Sequence, residues 1–238
     1  MVGTGCDQLL GLSPISPPLD TTVDATPSIC EEQATGNAPP FLCADFDEVD
    51  PSYDSNGMHF QLGTPTGPAT FERRAPADSP PNALWIATGG GQYYNEVKGP
   101  SSQGTRLLAT FDLEVSAFDQ TSGVLFLQLN GALGNAASVV LAFETGGAHI
   151  QAHCEPVDCD NSHPVFDVLP TGWIHGQLSL DTTTSLATIH VDPNLDAEVP
   201  LTSKPFMGTP TVRFGAIDVG SGSTTPVLGI DSLLVQLE

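Results

Sequence analysis

The sequence predicts an all-β protein built as an antiparallel β-sandwich. Short segments rich in Val, Ile, Leu and Phe follow one another along the chain, and Gly, Pro, Asn and Asp turns separate them. No window of about twelve residues or more carries an apolar stripe with helical spacing. Many segments alternate apolar and polar positions, which favours antiparallel sheets with one solvated face.

The clearest alternation lies in residues 111–115, where Phe, Leu and Val share one face of the strand while Asp112 and Glu114 share the other. Residues 177–180 and 188–191 show the same period of two, which is typical of half-buried strands. The predicted strands, in chain order, cover residues 41–47, 58–62, 69–73, 83–87, 93–97, 105–116, 123–130, 138–144, 148–153, 165–169, 173–181, 186–192, 212–219 and 228–237.

The charge balance excludes several classes of partner. The chain has 28 acidic residues against 6 basic ones, for a formal net charge of −22. Nucleic-acid binding and electrostatic binding to an anionic membrane both require basic residues, so neither is expected. The acids concentrate in residues 45–54, 158–167 and 192–198, which we predict to be solvated turns. A neutral or cationic partner fits this chain better than an acidic polysaccharide.

The chain divides into a tether, residues 1–29, and one β-sandwich domain, residues 30–238. Prolines, serines and threonines dominate the tether, which is typical of an extended linker. Cys6 follows Gly3-Thr4-Gly5, a run of small residues that resembles a bacterial lipobox. This resemblance predicts lipidation at Cys6 and an exported lipoprotein facing the cell surface or the periplasm, with a membrane contact through the lipid alone. The alternative is that Cys6 is an unmodified thiol in the tether, and in that case we expect a secreted protein.

The other four cysteines form two sequence-local pairs. Disulfides Cys30–Cys43 and Cys154–Cys159 would close short loops and would require an oxidising compartment. Zinc binding by His153, Cys154, Cys159 and His163 is one alternative, although the spacing matches no common finger. Free thiols are the other.

Four segments resemble the concanavalin A-like jelly rolls of laminin-G and glucanase type. The opening strand, residues 41–47, carries Phe followed by an acid, and residues 170–181 contain a Gly-Trp-x-His strand. The hairpin partner of that strand, residues 187–192, ends in Asp, and the closing strand, residues 229–235, contains Ile-Asp. The resemblance implies that the first and last strands of the domain are neighbours. It also implies a structural Ca²⁺ that Asp47 and Asp231 would help to bind.

Catalytic carboxylates are the first candidate site. The glycoside hydrolases of this family carry three acids on one strand, and the nearest match here is Asp112 with Glu114. Ser116 and Ala117 stand where a third acid is needed, and a solvated strand face explains the pair equally well. His175 and His190 lie on the two strands of a predicted hairpin and are candidate cross-strand neighbours.

Carbohydrate binding is the second candidate. Gln92, Tyr93, Tyr94 and Asn95 follow a glycine-rich turn and combine aromatic rings with amides, as sugar sites do. We therefore expect a non-catalytic exported or surface-anchored module that binds a neutral glycan or a protein partner. The alternatives are an atypical glycoside hydrolase or polysaccharide lyase of this fold, and a purely structural surface lipoprotein.

Overall fold

The computed structural model describes residues 42–44, 46, 52–55, 58–61, 70–74, 82–87, 92–99, 102–116, 124–131, 137–144, 147–154, 161–167, 171–192, 195–201, 206–217 and 227–238. All regular secondary structure in these residues is β-strand. Among them, no helix has the length and apolar character needed to cross a membrane.

The strands follow one another in antiparallel pairs. They are β1 (Leu42–Ala44), β2 (Ser52–Ser55), β3 (Met58–Gln61), β4 (Thr70–Arg74), β5 (Ala83–Ala87), β6 (Gln92–Lys98), β7 (Ser102–Gly104), β8 (Arg106–Ser116), β9 (Val124–Asn130), β10 (Ala137–Glu144), β11 (Gly147–Cys154), β12 (Asn161–Phe166), β13 (Trp173–Asp181), β14 (Leu186–Val191), β15 (Leu195–Pro200), β16 (Phe206–Gly208), β17 (Thr211–Ile217) and β18 (Val227–Leu237).

An eight-stranded sheet contains both the first and the last described strand. Its order is β15-β14-β13-β8-β18-β5-β4, and β1 also pairs with β18. Leu42 of β1 lies opposite Val235 of β18. The predicted proximity of the two ends of the domain is confirmed.

A six-stranded sheet packs against it, in the order β12-β11-β10-β9-β17-β6. One hydrophobic core lies between the two sheets, because each central strand turns alternate residues inward. In β8, Phe111 and Leu113 are buried in this core while Asp112 and Glu114 face outward. In β9, Leu127 is buried in the same core, so Gln128 lies at an outward position. Each sheet therefore has one core face and one outer face.

The turn between β13 and β14 lies where it was predicted, after Asp181 and before Leu186, and β14 ends one residue before the predicted end at 192. Asp181 accepts hydrogen bonds from the backbone N–H groups of Thr183 and Thr184, with N···O distances of 2.7 and 3.2 Å. Ser185 has a φ of 57°, a left-handed conformation that closes the turn. The polar side chain of Asp181 therefore stabilises this turn.

The prediction of turns in the acid-rich segments is wrong in part. Residues 195–198 belong to β15, the segment 45–54 contains most of β2, and the segment 158–167 contains all of β12. In β15, Ala197 and Val199 enter the core while Asp196 and Glu198 are exposed on the outer face. The acids there are the solvated face of a strand, because pairing with β14 buries the residues between them.

Candidate functional site

The residues that the sequence singled out lie on opposite sides of the sandwich. Asp112 and Glu114 occupy the outer face of the eight-stranded sheet, on β8. Gln92, Tyr93, Tyr94 and Asn95 lie in β6, at the edge of the six-stranded sheet. The two predicted sets therefore do not form a common site, and each outer face has to be considered separately.

On the outer face of the eight-stranded sheet, Asp112 forms a hydrogen bond with the imidazole of His175. β8 and β13 place Asp112 directly opposite His175, and the Nδ1 and Oδ1 atoms are 2.6 Å apart. The side chain of His175 is 50% exposed and that of Asp112 is 19% exposed. The sequence did not predict this contact, because it depends on the register of two strands that are far apart along the chain.

His190 makes a separate contact of the same kind. It lies opposite Gln177 and diagonal to His175, so the two imidazoles are on paired strands but not face to face. Its Nδ1 is 2.5 Å from Asp196 Oδ1, and its Nε2 is 3.5 Å from Asp192 Oδ1. The hydrogen bond to Asp196 raises the pKa of His190 above 6.5; desolvation opposes this shift, and the negative charges of Asp196 and Asp192 add to it.

Two tryptophans meet on this face above a glycine. The ring centroids of Trp85 and Trp173 are 5.7 Å apart at an interplanar angle of 66°, an edge-to-face pair. Gly229 leaves room for them, since a Cβ atom there would lie 3.0 Å from Trp85 Cζ3. Trp85 is only 6% exposed. Trp85 therefore packs the sheet surface and offers little ring area to a ligand, while Trp173 is only partly buried.

The calcium and disulfide predictions extend beyond the described residues. Asp231 is completely buried in a β-bulge of β18, but Asp47 lies outside the described part of the chain. No group of three or more His, Cys, Asp or Glu residues in the described part is arranged to hold a metal ion. The Ca²⁺ site stays a prediction.

Cys43 is buried and disulfide-bonded. Its predicted partner Cys30 is outside the described residues, as are Cys6 and Cys159. The side chain of Cys154 is also not described. Both pairings, the zinc alternative and the lipidation of Cys6 stay predictions.

The outer face of the six-stranded sheet carries polar side chains in register across its strands. One row joins Glu96, Arg213, Gln128, Val140 and Gln151, from β6 through β17, β9 and β10 to β11. This row spans about 19 Å at the usual strand spacing. Only Val140 in it lacks a polar side chain.

A second row lies about 7 Å away along the strands. It joins Lys98, Thr211, Asn130 and Ser138, and the Nδ2 of Asn130 donates to the Oγ1 of Thr211 at 3.0 Å. We call these two rows together the polar face. The sequence did not single it out, although polar residues alternating with leucines in β9 are the signal that could have indicated it.

The charges of the polar face are paired. Nε and Nη2 of Arg213 both lie 2.5 Å from Oε2 of Glu96. Lys98 Nζ lies 3.9 Å from Oε1 of the same carboxylate. One acid therefore holds both cations of the two rows, and the rest of the polar face is uncharged.

The predicted sugar residues border the polar face. In β6, Gln92 and Tyr94 fall at the same register parity as Glu96, which belongs to the outer face. Tyr93 and Asn95 fall at the parity of Val97, which is buried in the core. Strand alternation thus separates the four residues into two pairs, and their role in binding stays a prediction.

Comparisons with known proteins give the fold. No protein-family model matches the chain, and no curated protein matches it. Among solved structures, a botulinum neurotoxin type C chain has a TM-score of 0.55 at 9% identity, covering 84% of this chain and 48% of its own. A cellulose-induced protein has a TM-score of 0.51 at 12% identity, covering 71% of this chain and 86% of its own.

The matches also include an alginate lyase of polysaccharide lyase family 7 from Zobellia galactanivorans, with a TM-score of 0.45 at 9% identity. It covers 66% of this chain and 78% of its own. The fold is a concanavalin A-like jelly roll. The predicted fold class is confirmed, and at such low identity the likeness extends to the fold alone.

Proposed function

We propose that the protein is a non-catalytic module that binds a neutral glycan on the polar face of its six-stranded sheet. The observation that carries this proposal is the in-register row of Arg213, Gln128 and Gln151 on one outer face. Amide side chains both donate and accept hydrogen bonds, as sugar hydroxyls do. The fold does not choose the ligand, so the proposal depends on these side chains.

The geometry of the polar face suits an extended ligand. Its first row crosses five strands, from β6 to β11, and so offers hydrogen-bonding groups along a line of about 19 Å. Gln128, Asn130, Thr211 and Arg213 are partly buried, so their rotamers are restricted before a ligand arrives. Tyr94 at the edge would add an aromatic ring for the apolar side of a sugar.

Affinity gels containing neutral polysaccharides such as xylan, β-glucan and galactomannan test this proposal. We expect the wild-type protein to be retarded by at least one of them, and the double variant Gln128→Ala/Gln151→Ala to lose about tenfold in affinity. Gln177→Ala is the matched control, because Gln177 is a partly buried glutamine on the outer face of the other sheet. No retardation by any neutral glycan, or an equal loss with Gln177→Ala, would contradict the proposal.

A glycoside hydrolase or lyase is the second candidate, and the contact between Asp112 and His175 favours it. A half-exposed imidazole held by a carboxylate is an arrangement that general-base catalysis uses. If the protein has this activity, Asp112→Asn should abolish product formation from a polysaccharide panel while leaving affinity-gel retardation unchanged. If the wild-type protein releases no product, the binding proposal is preferred.

Export is part of the proposal and is supported by the cysteine usage of the sequence. In a bacterial host, labelling with radioactive palmitate tests the lipid anchor. We expect label in the wild-type chain, expressed behind a lipoprotein signal, and none in Cys6→Ser. A secreted protein without label would support the alternative of a free Cys6.

A further inference from the structure

We infer that Glu96 is a specificity-determining residue that makes the polar face select neutral glycans and reject uronates. This inference depends on the proposed glycan-binding function. It follows from the position of one carboxylate relative to the two cations of that face.

Glu96 occupies the part of Arg213 that would bind a ligand carboxylate. An arginine recognises a carboxylate with two N–H groups directed at the same acid. In this protein Nε and Nη2 of Arg213 form such a pair, and both are directed at Oε2 of Glu96. A uronate carboxylate approaching the same N–H groups would have to displace Glu96.

The register of β17 with β6 determines the contact between Arg213 and Glu96. Arg213 of β17 and Glu96 of β6 lie directly opposite each other on the outer face. Directly opposed residues on one face of an antiparallel pair are the closest cross-strand neighbours. The same carboxylate also faces Lys98 at 3.9 Å. Without Glu96, the two rows would contain two cations and no anion.

Carboxylates far from the polar face do not repel a uronate there as Glu96 does. The net charge of −22 comes from residues over the whole chain. At physiological ionic strength the Debye length is about 8 Å, so carboxylates across the sandwich are largely screened at the polar face. The local balance among Glu96, Arg213 and Lys98 therefore decides which ligand charge is accepted.

The pair is exposed enough to change without unfolding the protein. The side chain of Glu96 is 27% exposed and that of Arg213 is 43% exposed. Ion pairs of this exposure contribute little to the free energy of unfolding. We therefore expect Glu96→Gln to remain folded, and a thermal melt checks this.

Hexagalacturonate and its methyl ester are a matched pair of probes, since they share a backbone and differ in charge. We expect titration calorimetry to show a gain of about tenfold or more in affinity for hexagalacturonate in Glu96→Gln. The double variant Glu96→Gln/Arg213→Gln should lose this gain. Glu144→Gln removes an exposed carboxylate from another row of the same sheet and should gain nothing.

The outcomes separate this inference from the function on which it depends. If the wild-type protein binds neutral polysaccharides in affinity gels but Glu96→Gln gains no affinity for hexagalacturonate, the role of Glu96 is overturned and the binding function stands. The role of Glu96 is also overturned if wild-type protein binds hexagalacturonate as tightly as the variant, or if Glu144→Gln gains as much. If the wild-type protein binds no neutral glycan, the proposed function fails first.

Discussion

The two outer faces of the sandwich differ in how they use charge. The face of the eight-stranded sheet carries many carboxylates, among them Asp112, Glu114, Asp196 and Glu198, and holds both of its imidazoles against them. In the polar face of the six-stranded sheet, one carboxylate is paired with two cations. Among the described residues, the carboxylates of these two surfaces are therefore unevenly distributed. The net charge of the whole chain therefore does not describe the surface that a ligand would meet.

Trp85 serves the packing of the eight-stranded face. On the eight-stranded face, Trp85 is buried against Trp173 and above Gly229, and so it belongs to the packing of the sheet. This sheet also contains the two ends of the domain, since β1 and β18 pair there. Under the proposed function, the eight-stranded face serves packing and the polar face serves binding, so substitutions on the two faces should have different effects.

The largest expected effect is on the tryptophan pair. Trp85→Ala should lower the free energy of unfolding by about 4 kcal/mol, because a nearly buried indole leaves a large cavity. Trp173→Ala should cost about 1 kcal/mol, the size of an edge-to-face contact with limited burial. Urea unfolding followed by circular dichroism measures both. Glycan retardation of the folded variants should not change, and its loss would show that the eight-stranded face takes part in binding.

The next largest expected effect is on the free energy of unfolding when one glycine from each sheet is replaced by alanine. Gly147 in β11 has a φ of 141°, and a Cβ atom there would lie 1.9 Å from the backbone oxygen of Phe166. Gly147→Ala should therefore cost about 3 kcal/mol, since neither backbone can yield without breaking the pairing of β11 and β12. The three atoms nearest to a Cβ atom at Gly229 belong to the tryptophan rings, at 3.0 to 3.2 Å, so Gly229→Ala should cost about 1 kcal/mol. Equal losses in urea unfolding would contradict this difference.

Clear apolar patterns explain where sequence reasoning succeeded. The bounds of β13 agree with the predicted segment 173–181, where apolar and polar residues alternate. The bounds of β5 agree with the predicted segment 83–87, which is a short continuous apolar run. β12 extends over Asn161–Phe166 instead of 165–169, and it contains Pro164. It lies at the edge of its sheet, where a proline is tolerated because one side of the strand needs no ladder hydrogen bonds.

The candidate sites were harder to predict because they depend on register. The alternation of residues 111–115 predicts that Asp112 and Glu114 share a face, but the partner of Asp112 is set by the pairing of β8 with β13. Gln128 and Arg213 become neighbours only because β9 pairs with β17. A period of two assigns a residue to a face, yet it does not show which strand lies beside it.

The smallest expected effect is the titration of His190, which belongs to the eight-stranded face. Its hydrogen bond to Asp196 raises its pKa above 6.5, so Asp196→Asn should move the pKa back toward that value in an NMR titration. Glu198→Gln is the control, since it removes a carboxylate of the same strand that is absent from the causes of the shift.

The raised pKa of His190 determines the pH range in which its ion pair stabilises the folded protein. Protonated His190 stabilises the folded state fully below the unfolded pKa of about 6.5, and this contribution is lost as the pH rises through the folded pKa. Asp196→Asn should therefore destabilise the protein slightly in thermal melts at acidic pH and have no effect at alkaline pH. A loss that is larger at alkaline pH would show that His190 and Asp196 do not form an ion pair.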